Sequence, residues 1–95
     1  MSELNIKFSP RAKQRLEDIT DFLLEQTGSK TFVINFINSL KEYLYKILGM
    51  FPEAGTPMLE YGIDIRRVVF KEYSFLYQIK GFEIHILTVY KENLP

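Results

Sequence analysis

The first residues alternate apolar and polar side chains, and the pattern then changes to a helical spacing. Leu4–Phe8 has the period of a half-buried strand. Ser9 followed by Pro10 is typical of an N-cap and the first helical position. The next apolar residues recur at intervals of three and four, and they are Ala12, Leu16, Ile19 and Leu23. This pattern predicts a short strand followed by an amphipathic helix.

A second helical pattern follows after a short break. Gly28 is placed to end the first helix, and Ser29 is placed to cap the next. The second helix is predicted from about Lys30 to Leu48, with Gly49 as its C-terminal stop. Its apolar face comprises Phe32, Val33, Phe36, Ile37, Leu40, Leu44, Ile47 and Leu48. A connection of about four residues between two amphipathic helices predicts an antiparallel helical hairpin.

The second half of the chain changes to the period of strands. The segment from Met50 to Gly62 contains prolines, glycines and apolar residues, which predicts an ordered loop. Three β-rich runs follow at Ile63–Lys71, Ser74–Lys80 and Glu83–Lys91. Because the turns between them are short, consecutive strands are predicted to pair antiparallel.

The third β-rich run is apolar on both faces, which favours an inner strand. A strict period of two would place Ile84, Ile86 and Thr88 on one face and His85, Leu87 and Val89 on the other. The chain is predicted to form a single α+β domain over residues 1–95. In it the helical hairpin packs on a mostly antiparallel sheet of about four strands. The N-terminal strand joins that sheet, but its neighbour is left open.

Charge and composition narrow the classes of function. The 12 basic and 12 acidic residues cancel, which argues against a protein held on nucleic acid by charge alone but leaves room for a local basic patch. No cysteine is present, so we expect no disulfide, thiolate nucleophile or cysteine-based metal site. We also expect no cofactor. The N-terminus lacks the pattern of a signal peptide, and no apolar run reaches the ~18 residues of a membrane span. We expect a cytoplasmic protein without a membrane partner.

Short motifs follow one another in a distinctive order. The helices and the loop contain Ser9-Pro-Arg-Ala12, Leu16-Glu-Asp-Ile19 and Pro52-x-x-Gly55. The strands contain Ile65-Arg-Arg-Val68, Tyr73-Ser-Phe-Leu-Tyr77 and Ile84-His-Ile-Leu-Thr-Val89. In order and spacing, this set resembles the RelE/ParE toxin superfamily of bacterial type II toxin–antitoxin systems over nearly the whole chain.

The resemblance implies a toxin that a cognate antitoxin neutralises, with a toxin–antitoxin hetero-oligomer as a possible assembly. RelE-like members are ribosome-dependent mRNA endonucleases, whereas ParE-like members inhibit DNA gyrase by binding. Ser74 stands where the nuclease branch has an arginine, and Tyr90-Lys-Glu-Asn93 follows the last strand instead of arginine or His-Tyr. These departures favour the ParE-like branch, with gyrase or another large target and without direct sequence-specific contact to nucleic acid.

The resemblance also supplies candidate site residues. The residues expected to contact the target or the antitoxin are Arg66, Arg67, Tyr73, Tyr77, Tyr90 and Lys91. Arg66 and Arg67 are neighbours on a strand, so they are expected on opposite faces of the sheet. The alternative, a RelE-like endonuclease, would use Lys91, Tyr90 and Arg67 as catalytic residues. A further alternative is a non-toxic binding module that has kept the fold.

Other conspicuous residues have simpler interpretations. His85, the only histidine, lies between two isoleucines and is expected to be a packed core residue, with no metal site around it. Pro52, Gly55 and Pro57 are expected to fix the loop that leads into the sheet. The basic residues Arg11, Lys13 and Arg15 are expected to form a solvated helix face, with antitoxin or target contact as their alternative use.

Overall fold

The architecture is described by a computed structural model over residues 5–91. The predicted strand start at Leu4, and Glu92 and Asn93 after the last strand, lie outside the described residues. The elements in chain order are β1 (Asn5–Phe8), α1 (Pro10–Thr27), α2 (Lys30–Met50), β2 (Thr56–Pro57), a 3-10 turn (Leu59–Tyr61), β3 (Ile65–Phe70), β4 (Tyr73–Lys80) and β5 (Glu83–Lys91).

The five strands form one sheet in the order β1-β5-β4-β3-β2. The pairs β2–β3, β3–β4 and β4–β5 are antiparallel, and β1 runs parallel to β5. This confirms the α+β fold and the inner position of β5, and it identifies β5 as the neighbour of the N-terminal strand. The two-residue β2 lies within the predicted loop and makes a fifth strand where about four were expected.

The helical hairpin forms as its capping residues predict. The Ser9 hydroxyl accepts a hydrogen bond from the Ala12 amide at 3.0 Å, and Gly28 ends α1 in the left-handed conformation at φ 63°. The prediction that Gly49 stops the second helix is wrong. The helix continues through Gly49 to Met50, because the Phe51 amide still reaches the Ile47 carbonyl at 2.7 Å.

The core lies between the hairpin and one face of the sheet. Its buried side chains are Ala12, Leu40, Leu44, Leu48, Val68, Tyr73, Phe75, Tyr77, Ile84, Ile86 and Val89. Phe36 of α2 packs against the rings of Phe70 and Tyr73, with centroids 5.9 and 5.8 Å away. We call the other side of the sheet, which the helices do not cover, the open face. Within residues 5–91, neither helix is long and apolar enough to cross a membrane.

A β-bulge changes the face pattern of the last strand. Leu76 pairs with Thr88 and Tyr77 pairs with Ile86, so Leu87 is an extra residue in β5. The alternation restarts after Leu87, and Val89 is therefore buried on the same side as Ile84 and Ile86. The predicted grouping of Val89 with His85 is wrong for this reason.

The bulge also ties the last strand to the start of α1. The Ser9 hydroxyl donates a hydrogen bond to the Leu87 carbonyl at 2.8 Å, and the Ser9 amide donates to the Ile86 carbonyl at 2.9 Å. The residue that caps α1 is thus also anchored on the sheet, which fixes the position of α1 over β5.

Candidate functional site

The paired arginines lie on opposite faces of the sheet, as predicted. Arg66 pairs across the strands with Tyr77, whose ring is in the core, whereas Arg67 pairs with Leu76 on the open face. The Arg66 guanidinium donates hydrogen bonds to the Gly55 carbonyl at 2.9 Å and the Glu53 carbonyl at 3.3 Å. Arg66 therefore holds the loop between α2 and β2, and Arg67 is the arginine placed toward the other side of the molecule.

The Tyr77 hydroxyl also holds this loop, from the core side of the sheet. It donates to the Pro52 carbonyl at 2.7 Å and accepts from the Gly55 amide at 2.9 Å. Burial raises the pKa of the Tyr77 phenol, and the hydrogen bond from Gly55 opposes that rise. The structure thus places Tyr77 in the core with its polar group fully engaged by backbone rather than at a contact surface.

Gly55 is required where these contacts meet. A Cβ atom built there would lie 2.6 Å from the Tyr77 hydroxyl oxygen and 2.9 Å from the Arg67 carbonyl oxygen. Both distances are too short for a real side chain, so only glycine allows the loop to approach the sheet this closely. The Pro-x-x-Gly motif thus marks a backbone position that is locked by hydrogen bonds.

A groove of about 360 Å³ lies between α1 and the end of β5. Its walls are mostly apolar, and the residues lining it are Arg15, Asp18, Ile19, Phe22, Tyr73, Val89, Tyr90 and Lys91. Tyr73 and Lys91, two of the residues predicted for contact, therefore line the groove from the helix side of the sheet, and Tyr90 borders it from the neighbouring position of β5. Ile19 and Phe22 were not predicted as site residues, since apolar residues on an amphipathic helix usually belong to the core.

Lys91, at the end of β5, makes two weak contacts. The Lys91 ammonium lies 5.8 Å from the centre of the Phe22 ring and 3.9 Å from a Glu72 carboxylate oxygen. Phe22 is 49% exposed although its ring faces the groove. Burial, and then the Glu72 carboxylate, raise the pKa of the Tyr73 phenol. This part of the groove carries an accessible aromatic ring with the Lys91 ammonium beside it, which suits contact with another protein.

The candidate nuclease residues are separated by the sheet. Tyr90 pairs with Ser74, and Arg67 pairs with Leu76, which places both on the open face. Lys91 pairs with the core residue Tyr73 and points toward α1, where it meets Phe22. General acid–base chemistry at one phosphate needs groups within hydrogen-bond reach of the same atoms. Tyr90 and Lys91 both border the groove, but their side chains leave opposite faces of the sheet, so Lys91 does not share a face with Arg67 and Tyr90.

His85 does not lie in the core, so its predicted placement is wrong. It is on the open face with its side chain 31% exposed, and its Nε2 lies 2.9 Å from a Glu83 carboxylate oxygen. The other Glu83 oxygen pairs with the Lys7 ammonium at 2.8 Å. The hydrogen bond from Lys7, followed by that from His85, lowers the pKa of the Glu83 carboxyl. This cluster links β1 and β5.

The basic residues at the start of α1 are solvent-exposed, as the sequence predicts. Arg11, Lys13 and Arg15 all lie on the outer surface of the helix. Arg15 also lines the groove, as Lys91 does from β5. The lining of the groove therefore includes two cations together with the Asp18 carboxylate.

Comparisons with known proteins agree with this geometry. The family model described as the ParE toxin of the type II toxin–antitoxin system parDE matches residues 6–93. The fold resembles a chain of the chromosomal ParDE toxin–antitoxin system from P. aeruginosa, with a TM-score of 0.76, 20% identity and coverage of 94% of this chain and 96% of the other.

A second solved structure is also similar. It is the toxin–antitoxin complex RelBE2 from Mycobacterium tuberculosis, with a TM-score of 0.68, 16% identity and coverage of 94% and 98%. A search of curated proteins gave no match. The family match covers nearly every described residue, from β1 to the end of β5. The chain therefore belongs to the ParE toxin family of type II toxin–antitoxin systems.

Proposed function

We propose that this toxin acts by binding a cellular target, DNA gyrase, rather than by cutting RNA, and that it works in the cytoplasm. The proposal rests on the separation of the candidate catalytic side chains onto two faces of the sheet. Lys91 lies on the helix side of the sheet, and Arg67 and Tyr90 lie on the open face. A binding inhibitor needs a shaped surface, whereas a nuclease needs those groups around one phosphate.

We propose that a cognate antitoxin neutralises the toxin by occupying the groove between α1 and β5. The groove is apolar at Ile19, Phe22 and Val89, and its charged lining is Arg15, Lys91 and Asp18, two cations against one carboxylate. An amphipathic segment with acidic residues beside an apolar stripe would complement it, and such segments commonly fold on binding. The other residues proposed for target or antitoxin contact are Arg67, Tyr73 and Tyr90. Arg66 and Tyr77 contribute by holding the loop in place.

Expression in a bacterial host, with and without the antitoxin gene beside it, tests the toxin–antitoxin assignment. Growth arrest that the antitoxin reverses is expected.

Purified toxin added to a ribosome-dependent cleavage assay should leave a reporter mRNA intact. RNA cleavage that Lys91→Ala or Tyr90→Phe abolishes would instead establish the endonuclease, and normal growth without the antitoxin would indicate a non-toxic binding module.

A further inference from the structure

One end of the open face carries polar residues in two cross-strand rows. Lys7, His85 and Gln78 are in register on β1, β5 and β4. Asn5, Glu83 and Lys80 form the next row, close to the turn between β4 and β5. Side chains directly opposite each other on neighbouring strands lie about 4.5–5.5 Å apart at Cβ. These six side chains therefore form one continuous polar surface.

This end of the open face is accessible to solvent. The Lys7 side chain is 60% exposed, and Asn5 and Lys80 are also exposed. The opposite end of the face differs, because Ser74 and Leu76 on β4 are 0% and 6% exposed. A ligand on the open face would therefore meet the end near the β4–β5 turn.

The charge of this surface favours an anion. Lys7 and Lys80 are the cations, and Glu83 is the one carboxylate in the two rows. Both Glu83 oxygens are already engaged, one by Lys7 at 2.8 Å and the other by His85 at 2.9 Å. Two lysines against one carboxylate leave the two rows with a net positive charge, and Lys80 and the side-chain amide of Asn5 can donate to a ligand.

An exposed aromatic residue lies in the turn that joins Lys80 of β4 to Glu83 of β5. Phe82 is 82% exposed, the largest value among the large hydrophobic residues of the described chain. Gly81 and Phe82 form the two-residue turn between β4 and β5, and the Gly81 φ of 60° suits a tight hairpin. The Phe82 carbonyl accepts a hydrogen bond from the Asn5 amide at 3.1 Å. The backbone of Phe82 is therefore fixed at the end of the polar surface, one residue before Glu83 and two after Lys80.

We propose that this surface binds a single-stranded nucleic acid without sequence preference, with backbone phosphates on Lys7 and Lys80 and a base stacked on Phe82. Basic side chains next to an exposed aromatic ring form the combination that binds single strands, since phosphates pair with the cations and any base can stack. An acidic peptide would use the cations but gain little from the ring. The proposal does not depend on the gyrase assignment.

Fluorescence anisotropy with a labelled single-stranded oligothymidylate of about 12 nucleotides, a length within the usual site sizes, tests the proposal. Phe82→Ser should weaken binding about fivefold or more through lost stacking. Lys80→Gln should lower the slope of log affinity against log salt by about 0.7, the amount expected for one phosphate contact. Both positions are exposed, so circular dichroism should show an unchanged fold.

Two matched controls lie on the other side of the molecule. Tyr45→Ser removes an exposed aromatic ring of α2, and Lys46→Gln removes an exposed cation next to it. Neither should change the affinity or its salt slope. Absence of binding at low salt, equal losses in variants and controls, or equal affinity for a duplex or a polyglutamate peptide would each overturn the proposal.

Discussion

The Tyr77 hydroxyl joins two parts of the molecule that are far apart in sequence. It bonds to Pro52 and Gly55, which precede it by 25 and 22 residues. Each bond satisfies a polar group that the core would otherwise leave without water. A single oxygen atom thus secures the loop that connects the hairpin to the sheet.

Tyr77→Phe should destabilise the protein by about 1–3 kcal/mol, because a buried amide and a carbonyl lose their partner. The free energy of unfolding in urea measures this loss. The control Tyr45→Phe changes an exposed ring on α2 and should stay within about 0.5 kcal/mol of the parent. Equal stability of the two variants would show that the loop does not need this hydroxyl.

Gly55→Ala should destabilise by about 1–3 kcal/mol, because its Cβ would overlap the Tyr77 hydroxyl, the edge of the Tyr77 ring and the Arg67 carbonyl. Combining it with Tyr77→Phe tests the cause, since removing the hydroxyl relieves the shortest of these overlaps. The two losses should therefore be less than additive in urea unfolding. Strict additivity would contradict the contact.

Glu83 gives the protein a predictable response to acid. Its folded-state pKa is below the ordinary value of 4.5, so its contribution to stability is present above pH 4.5 and is lost as pH falls through the lowered folded-state value. Glu83→Gln should therefore lower stability at neutral pH, and the difference from the parent should shrink in acid. Urea unfolding across this range measures it, with exposed Glu17→Gln as a control that shows no such trend.

The residue types predicted the sheet face on which a side chain lies better than they predicted the side chains that it contacts. A period of two correctly separated Arg66 from Arg67. The same reasoning placed His85 in the core, because its isoleucine neighbours suggested burial on both sides. Its Glu83 and Lys7 partners depend on the pairing of β1 with β5, which short-range patterns leave open.

Among the elements, the bulge in β5 decides how α1 sits on the sheet. Leu87 leaves the regular ladder, and its carbonyl accepts the Ser9 hydroxyl at 2.8 Å. Ser9 at the same time caps α1 through the Ala12 amide. Ser9 thus joins the N-terminus of α1 to the bulge in β5.

Ser9→Ala should destabilise by about 1–2 kcal/mol, since it removes the cap and the bond to the bulge together. Ser29→Ala is a matched control, because Ser29 caps α2 through the Phe32 amide in an exposed position. Its loss should be about 1 kcal/mol or less. Thermal unfolding of both variants gives the comparison, and a larger loss at Ser29 would contradict the role assigned to Ser9.

The sequence predicted the elements themselves well. Helix caps and apolar spacing located α1 and the hairpin, and turn residues separated β3, β4 and β5. The failures occur where a hydrogen bond or an extra residue overrides local preference, as at Gly49, where α2 continues, and at Leu87, where the faces of β5 change. The two-residue β2 was missed because it exists only through pairing with Arg66 and Arg67.

On the scale of the whole molecule, the groove between α1 and β5 is the proposed antitoxin surface. Phe22→Ser should weaken antitoxin binding roughly tenfold, as expected for an aromatic anchor in a groove. Ile34→Ser removes a similarly exposed apolar side chain on α2 outside the groove and should have little effect. Calorimetric titration with the antitoxin measures the affinity of each variant. Equal affinities would show that the groove is not part of the interface.

Supercoiling of relaxed DNA by gyrase, measured with the purified toxin present, shows whether gyrase is the target. The toxin should block supercoiling, and prior addition of the antitoxin should restore it. Unimpaired supercoiling by gyrase, with a toxin that still arrests growth, would contradict gyrase as the target.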